Sequence, residues 1–203
     1  NNIAEIFANP KHPYTQDLIN SHAKTKKVTE VNKSNILSTE NLKVWFPIKK
    51  GILRKTTGYV KAVDEVSLSI PKNSTLGIVG ESGSGKSSLV LSLLKLIRSK
   101  GIIKFNNYNL SKISKMELRK LRKDIQIVFQ DPFSSLSPRM TVNQIIDEGL
   151  VIHEPKMNKS KRDDYIKEIC NDVGLDFDSI KNRYPHEFSG GQRQRISIAR
   201  ALV

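Results

Sequence analysis

The sequence predicts an α/β fold, and three observations carry that reading. Along residues 38–203, short apolar or alternating segments that read as strands are interleaved with amphipathic helical stretches. A glycine-rich stretch, "GESGSGKS" at 80–87, stands between a strand-like apolar run, "TLGIVG", and an apolar helical run, "LVLSLLKLI". A mostly helical stretch follows at 141–182, with one polar break at "HEPKMNKS".

The elements follow in chain order. Residues 1–22 open on a short apolar-periodic piece, Ile3, Ile6 and Phe7, which "NPKHPY" breaks because each proline fixes φ and restricts the residue before it. Residues 23–37 are polar and Lys-rich and read as a linker. "NLKVWF" alternates, with Leu42, Val44 and Phe46 on one face. "PIKKGILRKTTG" reads as a basic loop, and "YVKAVDEVSLSI" alternates again before a turn from Pro71 to Ser74. In the run after the glycines, Leu89, Leu93 and Leu96 form one stripe with Val90, Leu94 and Ile97 beside it, which predicts a helix buried on most sides. "GIIKFNNYNL" reads as a hairpin-like strand segment, and "SKMELRKLRK" as a short charged helix capped by Ser114 and Glu117. "DIQIVFQ" is a further buried strand. In "RDDYIKEICNDVGL", Tyr165, Ile166, Ile169, Cys170 and Val173 share a face, which makes Cys170 a core residue, and Gly174 fits a helix C-cap.

Composition sets limits. Hydrophobic residues are 37% and charged residues 27%, ordinary for a soluble domain. Cys170 is the single cysteine, so no internal disulfide forms. No apolar run approaches the roughly 18 residues of a membrane helix. The chain opens at Asn1 with no signal-peptide pattern and no initiator Met, so a cut at this end is expected. Net charge is +14, from 34 basic and 20 acidic residues, which suits either a polyanionic partner or a Lys-rich surface with none. The lysines are scattered from Lys11 to Lys181 without a single stripe, which favours the second reading.

"GESGSGKS" fits G-x-x-x-x-G-K-[ST]. Gly80, Gly83 and Gly85 let the backbone adopt conformations costly for residues with a Cβ, so that the N–H groups of the stretch from Gly80 through Glu81, Ser82 and Ser84 to Ser88 can turn inward on a phosphate. The helix that follows adds the positive end of its dipole. Lys86 is placed to reach phosphate oxygens and Ser87 to ligate Mg²⁺. A lysine at the head of a buried helix is costly unless paired, and phosphate is the natural partner.

Two further motifs decide which machine this is. "IVFQDP" puts Gln130 at the end of a strand, and "FSGGQRQRISIARAL" follows some sixty residues later. With the glycine loop, these motifs resemble those of the ATP-binding subunits of ABC transporters, over about residues 38–203. The resemblance implies a P-loop NTPase core with an antiparallel β subdomain and a helical subdomain near 141–187. It implies ATP and Mg²⁺ as cofactors and Lys86 and Gln130 as catalytic residues, with Ser87 and Gln130 on the metal. Ser189, Gly190, Gly191 and Gln192 resemble the signature that faces ATP on the P-loop of a second, head-to-tail ATPase domain. The family stacks adenine on an aromatic residue before the P-loop; Tyr59 is the candidate and Phe46 the alternative, with core packing open for either. The family's Walker B aspartate, catalytic glutamate and switch histidine come after the signature helix, and none of His12, His22, His153 and His186 stands where that histidine should. The 203 residues alone are therefore expected to bind nucleotide weakly and hydrolyse little.

"IFANPKHPYTQDLI" at 6–19 resembles the extension that follows the ATPase domain in oligopeptide and dipeptide importers. Here it precedes a cassette, so residues 1–22 are expected to be the tail of an upstream ATPase domain, 23–37 the linker and 38–203 an incomplete second domain. "QDPFSSLSPRMTV" and "YPHEFSGGQRQR" also resemble that branch. The resemblance implies an energy-coupling subunit for di- or oligopeptides or related small solutes. Such a subunit is peripheral to the cytoplasmic face of the cell membrane. It works with two permease subunits, indirectly with an external binding protein, and with no nucleic acid. The alternatives are a truncated ATP-binding remnant without turnover and an ABC ATPase acting on nucleic acid.

Overall fold

The computed structural model describes residues 10, 12–13, 15–16, 34–52, 54–131 and 135–203. Most of the expected tail and of the expected linker lies outside the described residues. Within them, the amides of Thr15 and Gln16 donate to the His12 carbonyl.

Strands β1 (Asn35–Lys50) and β2 (Lys55–Pro71) form a long antiparallel hairpin. Strand β3 (Lys100–Phe105) pairs with the first half of β1, and β4 (Tyr108–Asn109) folds back on β3, giving the order β2-β1-β3-β4. The alternation in "NLKVWF" decides which face is buried. Leu42 and Val44 pack with Val63, Ile103 and Phe105 on one side of the sheet, and helix α1 (Lys86–Leu93) lays Leu89 and Leu93 onto them. Thr39 is buried with its hydroxyl satisfied, donating to the Val66 carbonyl and accepting from the Leu68 amide. Helix α2 (Lys115–Leu121) closes this core with Leu121 and starts on the predicted capping box, Ser114 with Glu117.

Three expectations need correction. The basic segment 47–58 is mostly ladder, with only residues 51–54 between the strands. Helix α1 is buried on one side rather than most, since Val90 and Leu96 are exposed. The apolar runs at 75–80 and 126–129 are not strands. Among the described residues neither has a ladder partner, and a strand exists only by pairing.

A second core is helical. Helices α3 (Val142–His153), α4 (Lys159–Asp172), α5 (Phe177–Ile180) and α6 (Gly190–Leu202) bury Ile146, Ile166, Cys170 and Ile196 completely. Each long helix has a side-chain N-cap: Thr141 with Gln144 for α3, Asn158 for α4, and Ser189 with Gln192 for α6. Gly174, at φ +70, follows the end of α4 as predicted. A half-buried pair, Arg162 Nε to Asp147 at 2.6 Å, ties α4 to α3. No helix among the described residues is long and apolar enough to cross a membrane.

Two predictions arise from this core. Burial pushes the Cys170 thiol up to about 11. Iodoacetamide is expected to leave Cys170 unmodified in the native protein and to alkylate it in denaturant, as mass spectrometry would show. On the surface, Lys167 at 2.5 Å and Lys181 at 3.0 Å hold the Asp178 carboxyl down to about 2, against an ordinary 3.8. A carboxylate depressed by folding stabilises the fold above its unfolded value, and that contribution is lost as pH falls through the folded one. Acid unfolding followed by circular dichroism should therefore be less steep between about pH 4 and 2 in Lys167→Met than in the unaltered protein.

Candidate functional site

The glycine loop is shaped by the sheet beneath it. Gly85, the residue before α1, has φ +94, and a Cβ there would collide with the carbonyl oxygen of Ala62 on β2. The loop thus rests backbone to backbone on the hairpin, which fixes where α1 begins. The loop folds back on itself, with the Ser84 amide donating to the Glu81 carbonyl at 3.2 Å. Lys86 Nζ points into it and donates to the carbonyls of Gly80 at 2.8 Å and Glu81 at 2.5 Å. No carboxylate pairs with Lys86 among the described residues. The ammonium is held only by neutral groups, those two carbonyls and the Ser84 hydroxyl at 3.4 Å, a weak arrangement beside a phosphate. That polarity fits a phosphate chain lying along the loop.

The tertiary fold brings Gln130 to this loop. A cavity of about 290 Å³ is lined by Lys86, Ser87 and Gln130, with Ile78, Val90 and Phe129 among its apolar walls. The Ser87 hydroxyl and the Gln130 amide are exposed, and both carry the hard oxygen donors that suit Mg²⁺. Glu81, Ser82 and Ser84 are exposed along the loop, and Ser88 is half-buried at the helix start.

The signature residues form a separate surface. Ser189 Oγ accepts from the Gln192 amide at 3.3 Å, and Gln192 Oε1 accepts from the Ser189 amide at 3.1 Å. Ser189, Gly190, Gly191 and Gln192 are all exposed, and a Cβ on either glycine would meet nothing within 4 Å. The side chain of Arg193 is buried just behind, its Nε donating to the Pro185 carbonyl at 2.7 Å. That bond pins the start of α6 to the 3₁₀ turn Pro185–Glu187.

The two aromatic candidates part company. Pairing of Phe46 with Val60 and of Pro47 with Tyr59 puts them on opposite faces of the hairpin. Phe46 continues the Val44 face, toward α1. Tyr59 lines a second cavity of about 680 Å³ with Lys43, Trp45 and the segment 95–100, and that cavity contains no residue of the glycine loop. The Tyr59 and Trp45 rings lie 5.8 Å apart, Trp45 Nε1 donates to Asp64 at 3.0 Å, and Lys61 Nζ stands 4.5 Å over the Trp45 ring. Sequence reasoning missed this aromatic and basic face. Its signal was present in the same alternation, because Lys43 and Trp45 occupy the odd positions between Leu42, Val44 and Phe46.

A glycine loop at the head of a helix, with a lysine, a hydroxyl and an amide converging beside it, defines a nucleotide-binding α/β domain. The chain belongs to the ABC transporter family, whose model, described as "ABC transporter", matches residues 63–203. It has the ABC ATPase fold, with an antiparallel β subdomain and a helical part. The peptidoglycan transport ATP-binding protein YejF of Agrobacterium fabrum is 45% identical over 202 residues, covering 99% of this chain and 37% of that protein. The oligopeptide transport ATP-binding protein AppF of Bacillus subtilis is 48% identical over 178 residues, 87% of this chain and 54% of AppF. The chain thus spans little more than a third to a half of these relatives. Among solved structures, the dimeric post-hydrolysis state of the ATP-binding cassette MJ0796, bound to ADP and Pi, superposes with a TM-score of 0.70. It is 28% identical, over 82% of this chain and 68% of that one.

Proposed function

We propose that this chain is the larger part of an ATP-hydrolysing, energy-coupling domain in an importer of di- or oligopeptides or related small solutes. The observation that carries the reading is the convergence of Lys86, Ser87 and Gln130 on one cavity, 43 residues of sequence apart. The names of the relatives support the cargo class, since YejF and AppF are described as peptidoglycan and oligopeptide transport proteins. The likeness to YejF extends over 99% of the chain, which supports residues 1–22 as the tail of an upstream cassette and 23–37 as a linker.

The residues divide the work. The backbone from Gly80 to Ser88 would cradle the β-phosphate, with Lys86 exchanging the carbonyls of Gly80 and Glu81 for phosphate oxygens. Ser87 and Gln130 would hold Mg²⁺, and Gln130 would orient the attacking water. Phe46 faces the α1 side and is the better placed of the two rings to stack on adenine. Ser189 to Gln192 would present amides and a helix N-terminus to ATP on a second, head-to-tail domain. When bound, MgATP supplies the phosphoanhydride whose cleavage drives transport. The partners are that second domain, two permease subunits and, indirectly, an external binding protein, at the cytoplasmic face of the membrane.

The test uses the full-length protein in its own cells. Lys86→Met is expected to abolish uptake of a labelled peptide while the protein accumulates normally. Uptake at the unaltered rate would overturn the reading.

A further inference from the structure

We propose that the far end of the β1–β2 hairpin binds an anionic bilayer surface directly. Strand β1 last pairs with β3 at Lys43↔Lys100, and beyond that point β1 and β2 continue as a two-stranded ribbon to Lys50↔Lys55. Seven residues of strand at about 3.3 Å each carry the tip roughly 20 Å past the sheet.

The charge on this ribbon has one sign. Residues 41–63 contain six cations and no acid. Lys43 and Lys61 at the base pair with Glu65 and Asp64. Lys49, Lys50, Arg54 and Lys55 crowd the tip, and none of these four has a carboxylate partner among the described residues. At their centre Ile52 is fully exposed, and Ile48 and Val60 stand exposed on one face behind it. On the opposite face, at the base, lie Trp45 and Tyr59. A convex basic tip carrying an apolar residue, with Trp and Tyr behind it, has the chemistry of an interfacial anchor. The cations seek lipid phosphates, and Ile52 gains only by leaving water.

Nucleic acid is the competing polyanion and fits less well. Residues 48–55 offer no amide side chain to read a base and no aromatic ring to stack on one. An isoleucine at the tip adds nothing to a phosphate contact. The inference does not rest on the importer reading, because lipid vesicles contain no permease.

The test is co-sedimentation of the full-length protein with phosphatidylcholine vesicles and with vesicles of phosphatidylcholine and phosphatidylglycerol, at low and high salt. Binding is expected to the anionic vesicles alone and to weaken with salt. Each tip cation near such a surface contributes about five-fold in partitioning, so changing Lys49, Lys50, Arg54 and Lys55 together to Gln should cost about a hundred-fold or more. Ile52→Ser should weaken vesicle binding several-fold and leave any binding to duplex DNA unchanged. All these positions are exposed, and an unchanged melting temperature checks that the variants fold. Equal binding to neutral vesicles, or full binding by the four-fold variant, would overturn the proposal. So would an Ile52→Ser protein that sediments like the unaltered one.

Discussion

Gly85→Ala is expected to lower the nucleotide affinity of the full-length protein at least about a hundred-fold, equivalent to roughly 3 kcal/mol. Two effects add. A side chain at φ +94 carries backbone strain of about 1–3 kcal/mol. The new Cβ would also collide with the carbonyl oxygen of Ala62, a bulge residue held between two paired neighbours. Its neighbours Lys61 and Val63 are registered against Trp45 and Val44 in the longest ladder of the sheet. The loop must therefore lift off β2, taking with it the amides that face the phosphates and the first residue of α1. Gly83→Ala is the matched control. Its φ is +82, but a Cβ there meets nothing within 4 Å. It should cost about 1–2 kcal/mol of strain and about ten-fold in affinity. Titration with a fluorescent ATP analogue, alongside thermal melts, separates the two. Equal losses would mean that the contact with Ala62 does not shape the loop.

The contrast between these two glycines marks the limit of what could be read from the sequence. Three glycines in an eight-residue motif announce a phosphate loop, and local chemistry of that kind was legible throughout. Ser114 with Glu117 and Gly174 after α4 both depend on neighbours a few residues away. What depends on distant pairing was not legible. "TLGIVG" and "DIQIVFQ" have the composition of buried strands, yet strand identity resides in the partner, and none pairs with them among the described residues. The same dependence on distant partners explains α1. Val90, read as buried, instead lines the small cavity with Ile78 and Phe129, which belong to those two runs. In the hairpin, Pro47 and Gly51 suggested a loop. Pro47 is tolerated because β1 has lost its second neighbour there, so a missing donor on that edge breaks no ladder. The faces on which Tyr59 and Phe46 lie were not legible either, for a related reason. The register shift between Val44 and Trp45 decides which residues of β2 face α1, and a shift of one residue exchanges the two faces.

Gly191→Ala should separate folding from function at the signature. Gly190 and Gly191 occupy the first turn of α6, neither has a positive φ, and both face open space. The fold of this chain therefore makes no demand for glycine at either position. Alanine is the better helix former by up to about 1 kcal/mol, so the melting temperature should hold or rise slightly. Turnover should respond in the opposite sense. If the Gly191 amide closes on ATP held by a second domain, an added methyl group keeps that phosphate at a distance. Losing one such preorganised donor costs about a hundred-fold in rate. Ser189→Ala cannot make this distinction, since it also removes the cap to the Gln192 amide and about 1 kcal/mol of stability with it. The measurement is ATP turnover by the full-length protein with its permease subunits, set against its thermal melt. A variant that loses stability and turnover together would make the glycine structural. A variant that keeps full turnover would show that α6 never meets the nucleotide. The combination expected here, a fold at least as stable with the catalytic rate gone, requires something outside this domain to occupy the space over Gly191.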